Sequence, residues 1–201
     1  MNKRNVQPDV ELISMATIVR LTRKLARRIA DSSFQPDIVV AIARGGYVPA
    51  RLLCDCLNLY NLTSIRIAHY TGAEKGDAAE LCDPLKVAIA GMQVLLVDDV
   101  DDSGDTLQLA LEHLRHHQPA TIKVAVLHHK QNSTLVPDFF AQKIIRWRWL
   151  TYPWAVVEDV LGFVKKMDPP PTSVEQASEH LAREYGLKIS RDVLEDVFRL
   201  L

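Results

Sequence analysis

Between Val94 and Thr106 the chain reads VLLVDDVDDSGDT. Val94–Val97 is a short, wholly apolar run and is predicted to be a strand covered on both faces. Asp98 and Asp99 follow at its carboxyl end, and a small loop with Ser103, Gly104 and Thr106 feeds a helix predicted over Ser103–His117, which Pro119 stops. In an open parallel sheet, ligands bind beyond the carboxyl ends of the strands. A glycine-containing loop at a helix amino terminus turns backbone N–H groups outward, where they hold a phosphate. Asp98 and Asp99 cannot serve that phosphate; their carboxylates suit sugar hydroxyls or a divalent cation. Hydroxyl acceptors a few residues from a monophosphate cup describe a site for a ribose 5-phosphate. The same residues have a structural use, with Asp102 or Ser103 expected as the helix N-cap.

The elements that must position this loop follow from periodicity. Leu12–Ala30 has apolar residues at helical spacing, with Arg20, Arg23, Lys24, Arg27 and Arg28 between them as a solvated face. After Pro36-Asp37, Ile38–Ile42 reads as a buried strand; Arg44-Gly45-Gly46 breaks it and Val48–Leu57 is the next helix. Leu62–Ala68, Ile122–Leu127 and Ile144–Trp149 are further strand candidates, while His69–Asp83 lacks periodicity and is expected to be a long irregular loop. Strands alternating with helices predict an α/β fold with a mostly parallel sheet flanked by helices. Asp168-Pro169-Pro170-Pro171 is a stiff linker, which places one domain at 1–167 and a helical hairpin extension at 168–201, built from Val174–Tyr185 and Ser190–Leu200.

Composition narrows the alternatives. The 201 residues are 48% hydrophobic and 24% charged, which excludes a disordered chain, a collagen and a coiled coil. The formal net charge of -1 offers no basic field for nucleic acid, so a polyanion must be held locally. Three cysteines, Cys54, Cys56 and Cys82, read as reduced thiols in a cytoplasmic protein. The amino terminus has basic residues with no apolar run behind them, and the longest apolar run, Ile38–Ala43, cannot span a bilayer. His113, His116 and His117 share one helix face, where they are expected to meet the helix dipole and solvent rather than a metal.

At Val94–Thr106 the sequence resembles the type I phosphoribosyltransferases, whose phosphoribosyl pyrophosphate (PRPP) signature it matches along its whole length. Ile38–Ala50, IVVAIARGGYVPA, is similar to that family's first strand and pyrophosphate loop. The resemblance spans about residues 10–167 and implies the family's fold, with a small hood at about 140–160. It implies that Ala43, Arg44 and Gly45 meet the pyrophosphate, with a cis Ala43–Arg44 peptide. Asp98 and Asp99 would hold the ribose hydroxyls, and Asp102, Ser103, Gly104, Asp105 and Thr106 the 5-phosphate.

The resemblance further implies a 6-oxopurine as acceptor. Asp102 stands where such enzymes carry a carboxylate that approaches purine N7, and Lys130 matches a lysine that contacts the 6-oxo group, to which an ammonium donates well. Ile144–Asp159 resembles a base-covering hood, with Trp149 stacking on the purine and the backbone of Leu150 reading its edge. Tyr70 would belong to a lid. The implied cofactor is Mg2+, near Asp98 and Asp99 through ribose or water. Ala155 stands where relatives have an aspartate that helps hold magnesium pyrophosphate, so Glu158 or Asp159 is the substitute contact. The implied reaction moves the 5-phosphoribosyl group of PRPP to N9 of hypoxanthine, guanine or xanthine, releases pyrophosphate and serves purine salvage. The implied partners are PRPP, the purine base, the nucleotide product and a second copy of the chain in a homodimer, with neither nucleic acid nor membrane. The rival expectation is a PRPP-binding regulator without transferase activity.

Overall fold

Ile38–Ala43 (β2) is buried at all six positions, and its branched side chains explain why it forms the centre of a sheet rather than a helix. The computed structural model describes residues 9–72 and 75–201, the side chains of 69–78 apart. The other elements are β1 (Val10–Leu12), α1 (Met15–Ala30), α2 (Tyr47–Leu57), β3 (Leu62–Gly72), β4 (Lys75–Asp83), β5 (Gln93–Asp101), α3 (Asp105–Arg115), β6 (Thr121–Lys130) and β7 (Phe139–Ile144). They are followed by β8 (Trp149–Thr151), α4 (Val156–Val164), α5 (Val174–Tyr185) and α6 (Arg191–Phe198). The chain divides into two packing units, one of Ala16–Arg146 and one of the segment up to Met15 with Trp147–Leu201.

In the first unit the described residues form a six-stranded sheet in the order β4-β3-β2-β5-β6-β7. The ladders among β3, β2, β5, β6 and β7 are parallel, and only β3–β4 is antiparallel. This is the expected α/β architecture. Leu107, Ala110 and Leu114 of α3 share an apolar cluster with Val40, Ile42 and Leu96 of the sheet. The alternate positions Val39, Ala41, Leu95 and Val97 face the other way and are equally buried. Burial of both faces is what a parallel sheet requires.

Several expectations need correction. The described residues of 69–83, which leave out 73–74, are not an irregular loop: β3 and β4 pair there, with register shifts between Arg66 and Ile67 and between Tyr70 and Gly72. Charged residues such as Lys75, Asp77 and Glu80 hid this strand, because an edge strand carries charge where a central one cannot. The strand predicted over Ile144–Trp149 does not form. β7 ends at Ile144, and the alternating Ile145 and Trp147 are 68% and 44% exposed, so that pattern marks no buried face.

In the second unit β1 and β8 form a short parallel ladder, Val10 opposite Trp149 and Leu12 opposite Thr151. Helices α4, α5 and α6 share one apolar cluster that includes Val160, Phe163, Leu181, Leu194 and Val197. The helical hairpin beyond Asp168 thus packs with α4, a helix that the sequence pattern does not predict. Ser173 caps α5 by accepting from Gln176 N, and Gly186, at a positive φ of 65°, ends it.

Candidate active site

The parallel register of β2 and β5, Ile38 opposite Val94 through Ala41 opposite Val97, brings the two strands out at the same edge of the sheet. Strand β5 continues to Asp101, beyond the expected end at Val97, so Asp98 and Asp99 lie on the strand itself. Asp99 lies against the β2–α2 turn. A Cβ added at Gly45 would stand 2.5 to 2.6 Å from the Asp99 carboxylate, an approach that only glycine permits. The Ala43–Arg44 peptide in this turn is cis, as expected. Asp98 is buried, and its Oδ1 accepts the Asp99 N–H at 2.9 Å. Burial first, and then the charge of Asp99, hold its carboxyl well above the usual range.

The expected phosphate loop enters α3 differently from its sequence reading. The N-cap is Gly104, at φ 97°, and not Asp102 or Ser103. Ser103 Oγ donates to Asp105 Oδ2 at 2.7 Å and lies 3.4 Å from the Asp105 N–H. The Asp102 carboxylate is engaged elsewhere: Lys130 Nζ donates to its Oδ2 at 2.6 Å and Asn132 Nδ2 to its Oδ1 at 3.3 Å. Asp102 and Lys130, both singled out from sequence, are therefore paired with each other across the ends of β5 and β6.

A brace that the sequence reading missed lies behind this loop. Asp101 accepts from Ser133 Oγ at 2.8 Å, and its Oδ2 is 2.7 Å from His129 Nδ1. Thr134 donates both its N–H and its hydroxyl to the Ser103 carbonyl, at 3.0 and 2.9 Å. Gln108 of α3 donates to Thr134 Oγ1 at 3.0 Å. Three consecutive residues, the last of β5 and the first two of the loop (101 to 103), are thus each held from 129–134. Burial raises the Asp101 carboxyl, against the hydrogen bonds from Ser133 and His129. The signal was the pair of histidines before Lys130, ending a strand whose register sets His129 opposite Asp101.

In the second unit, Trp149 is 40% exposed and its Nε1 donates to Asp159 Oδ2 at 2.9 Å. Burial raises the Asp159 carboxyl, opposed by that hydrogen bond. On the neighbouring strand pair, Trp149 N donates to Asp9 O and Ile13 N to Thr151 O. Ladder alternation therefore turns the N–H and C=O of Leu150 away from β1, toward the edge of β8 that carries no further strand among the described residues. Trp154 lies flat on Tyr152, with centroids 5.0 Å apart. The expected lid residue Tyr70 sits on β3, but its side chain lies outside the described residues.

Among the described residues no three His, Cys, Asp or Glu side chains gather to enclose a metal ion. The adjacent oxygen donors Asp98 and Asp99 fit a hard cation that takes its remaining ligands from substrate and water. His113 accepts the Leu85 N–H at Nε2, 3.0 Å away, and burial lowers its pKa, so this imidazole is tied into the fold and not only to solvent.

The fold, a mostly parallel sheet flanked by helices, is that of the type I phosphoribosyltransferases. The phosphoribosyl transferase domain model matches residues 12–158, and the chain belongs to that family. It is 29% identical to a xanthine-guanine phosphoribosyltransferase of Idiomarina loihiensis, over 71% of this chain and 84% of that protein. It is 28% identical to the hypoxanthine-guanine phosphoribosyltransferase of Saccharomyces cerevisiae, over 73% of this chain and 86% of that protein. A purine phosphoribosyltransferase from Pyrococcus horikoshii superposes with a TM-score of 0.65 at 29% identity, covering 73% of this chain and 93% of that one.

Proposed function

We propose that this protein is a purine phosphoribosyltransferase that moves the 5-phosphoribosyl group of PRPP to N9 of a 6-oxopurine and releases pyrophosphate. The observation that carries the reading is the Asp99 carboxylate lying on the Gly45 backbone beside a braced, glycine-capped loop at the start of α3. The named relatives, which this chain covers for most of their length, support a purine as the acceptor.

In this reading the N–H groups at the start of α3, from Asp102 to Thr106, receive the 5-phosphate. Asp98 and Asp99 take the ribose hydroxyls, and Ala43, Arg44 and Gly45 meet the pyrophosphate. Bound Mg2+, near Asp98 and Asp99, would offset the charge of the departing pyrophosphate. As pyrophosphate leaves, the ribosyl carbon gains oxocarbenium character and purine N9 captures it with inversion. Asp102 manages the proton at N7, and Lys130 serves both as its partner and as donor to the 6-oxo group. Trp149 stacks on the base, and the backbone edge of Leu150 that faces away from β1 reads it. The ribbon that carries Tyr70 keeps water from the reacting carbon. Most of the acceleration comes from positioning and charge compensation.

The protein acts in purine salvage as a cytoplasmic homodimer, with 168–201 as an added contact between copies. The test is incubation with Mg2+, PRPP and each of hypoxanthine, guanine, xanthine, adenine and uracil. Nucleotide from one or more 6-oxopurines, and none from adenine or uracil, is the expected result; no nucleotide from any base overturns the reading in favour of a regulator.

A further inference from the structure

The ring of Trp149 is held from one helix at two points. Asp159 and Phe163 stand four residues apart on α4 and so share one of its faces. Asp159 accepts the indole N–H at 2.9 Å, and the Phe163 ring meets the indole edge-on, 6.5 Å away at 77°. Phe163 is itself fixed by stacking on Tyr185 of α5, with centroids 4.7 Å apart. Asp159 is half-buried, and its own N–H is bonded to Ala155 O in the first turn of α4. Trp149 nevertheless keeps 40% of its surface exposed. An apolar ring pinned at its polar edge while much of its surface meets solvent has been oriented without being buried.

Packing alone gives no reason for this arrangement. A Trp N–H on a half-exposed ring can be satisfied by water, and a half-buried carboxylate costs desolvation. A charge-assisted hydrogen bond does have the strength and direction to select one rotamer of a side chain that stacks on a ligand. We infer that Asp159 is a positioning residue for base binding: its carboxylate fixes the plane of the Trp149 ring on which the acceptor base stacks, and it acts on the base only through the indole N–H. The inference rests on Trp149 being the stacking ring. It gives the carboxylate that follows the Ala155 departure a task directed at the base rather than at pyrophosphate.

The test is a double-mutant cycle read on steady-state constants for base and for PRPP. Asp159→Leu is expected to raise KM for the base about fivefold or more, with kcat and KM for PRPP within about twofold of the parent, the pattern of lost ground-state binding. Trp149→Phe, which keeps a ring and removes the N–H, is expected to show a similar rise. The double variant is expected to be no worse than Trp149→Phe alone, because residues that act through one contact are not additive. Asp159→Asn keeps an acceptor oxygen and is expected to restore most of the binding, which covers the case in which the leucine variant folds poorly.

A full Asp159→Leu effect in the Trp149→Phe background would overturn the inference, and so would a rise in KM for PRPP equal to that for the base. If Trp149→Ala raises the KM for the base and Asp159→Leu does not, the inference falls and the stacking assignment stands. If Trp149→Ala leaves base binding unchanged, both fall.

Discussion

His129 and Asp101 face each other across the β5–β6 ladder at 2.7 Å, with both side chains buried and Ser133 closing the second carboxylate oxygen. The pair stands next to the two residues that the proposed chemistry uses, Asp102 and Lys130. Removing one partner strands a buried polar group, which costs about 3 kcal/mol or more, whereas removing both can be close to neutral. Asp101→Leu is therefore expected to lower the urea midpoint sharply. Asp101→Leu combined with His129→Leu is expected to recover most of the loss. Equal destabilisation by single and double variants would show that the pair is not a unit.

Asp102 and Lys130 form the second pair across the same strand ends. Asp102→Ala is expected to reduce kcat about a hundredfold, the scale of a lost proton-transfer group, with KM for PRPP within about threefold. Lys130→Met is expected to raise KM for the base, and the two changes together are expected to cost less than their sum. Matching losses in turnover and in PRPP affinity for Asp102→Ala would argue against its base-directed role.

Gly45 and Gly46 are adjacent and differ in what a side chain would meet. At Gly45 the obstacle is the Asp99 carboxylate; at Gly46 it is the backbone carbonyls of Val97 and Ile42. Gly45→Ala is expected to displace Asp99 and raise KM for PRPP about tenfold, with little change in Tm. Gly46→Ala has only backbone to push, so its expected effect is a Tm lower by several degrees. Loss of stability without loss of PRPP affinity at Gly45 would contradict this division.

Burial, and then the charges of Lys130 and Arg20, lower the His128 imidazole from 6.5 to about 4. The unfolded chain takes up this proton as pH falls through 6.5, whereas the folded chain takes it up only near 4. The contribution of neutral His128 is thus complete above the unfolded value and is lost between the two, about 2 kcal/mol by about pH 5. Urea melts from neutral to acid pH are expected to show this loss, and His128→Gln is expected to remove that part of the slope. An unchanged slope in the variant would show that His128 is not the group responsible.

The linear motifs were legible because their residues are neighbours in the chain: Asp98, Asp99 and Gly104 announce a strand, a loop and a helix within a few positions. The central strands were legible because burial on both faces leaves unbroken apolar runs. What depended on register was hidden. Asp101 finds His129 28 residues away only through the β5–β6 ladder. Strand β4 was hidden because an edge ribbon tolerates charge, and α4 because VVEDVLGFV is apolar on most of its surface and shows weak helical contrast. Asp159 stands out in the sequence as a carboxylate, but its partner Trp149 lies ten residues back on a different element.

The central claim is that the cradle at the end of β5 holds an activated pentose and gives it to a 6-oxopurine. The most direct measurement follows Mg·PRPP by phosphorus NMR in the presence of the protein and hypoxanthine, guanine or xanthine. Loss of PRPP with one pyrophosphate and one nucleoside monophosphate formed per molecule consumed is the predicted result. PRPP signals that broaden on binding yet persist unchanged with every base would contradict it.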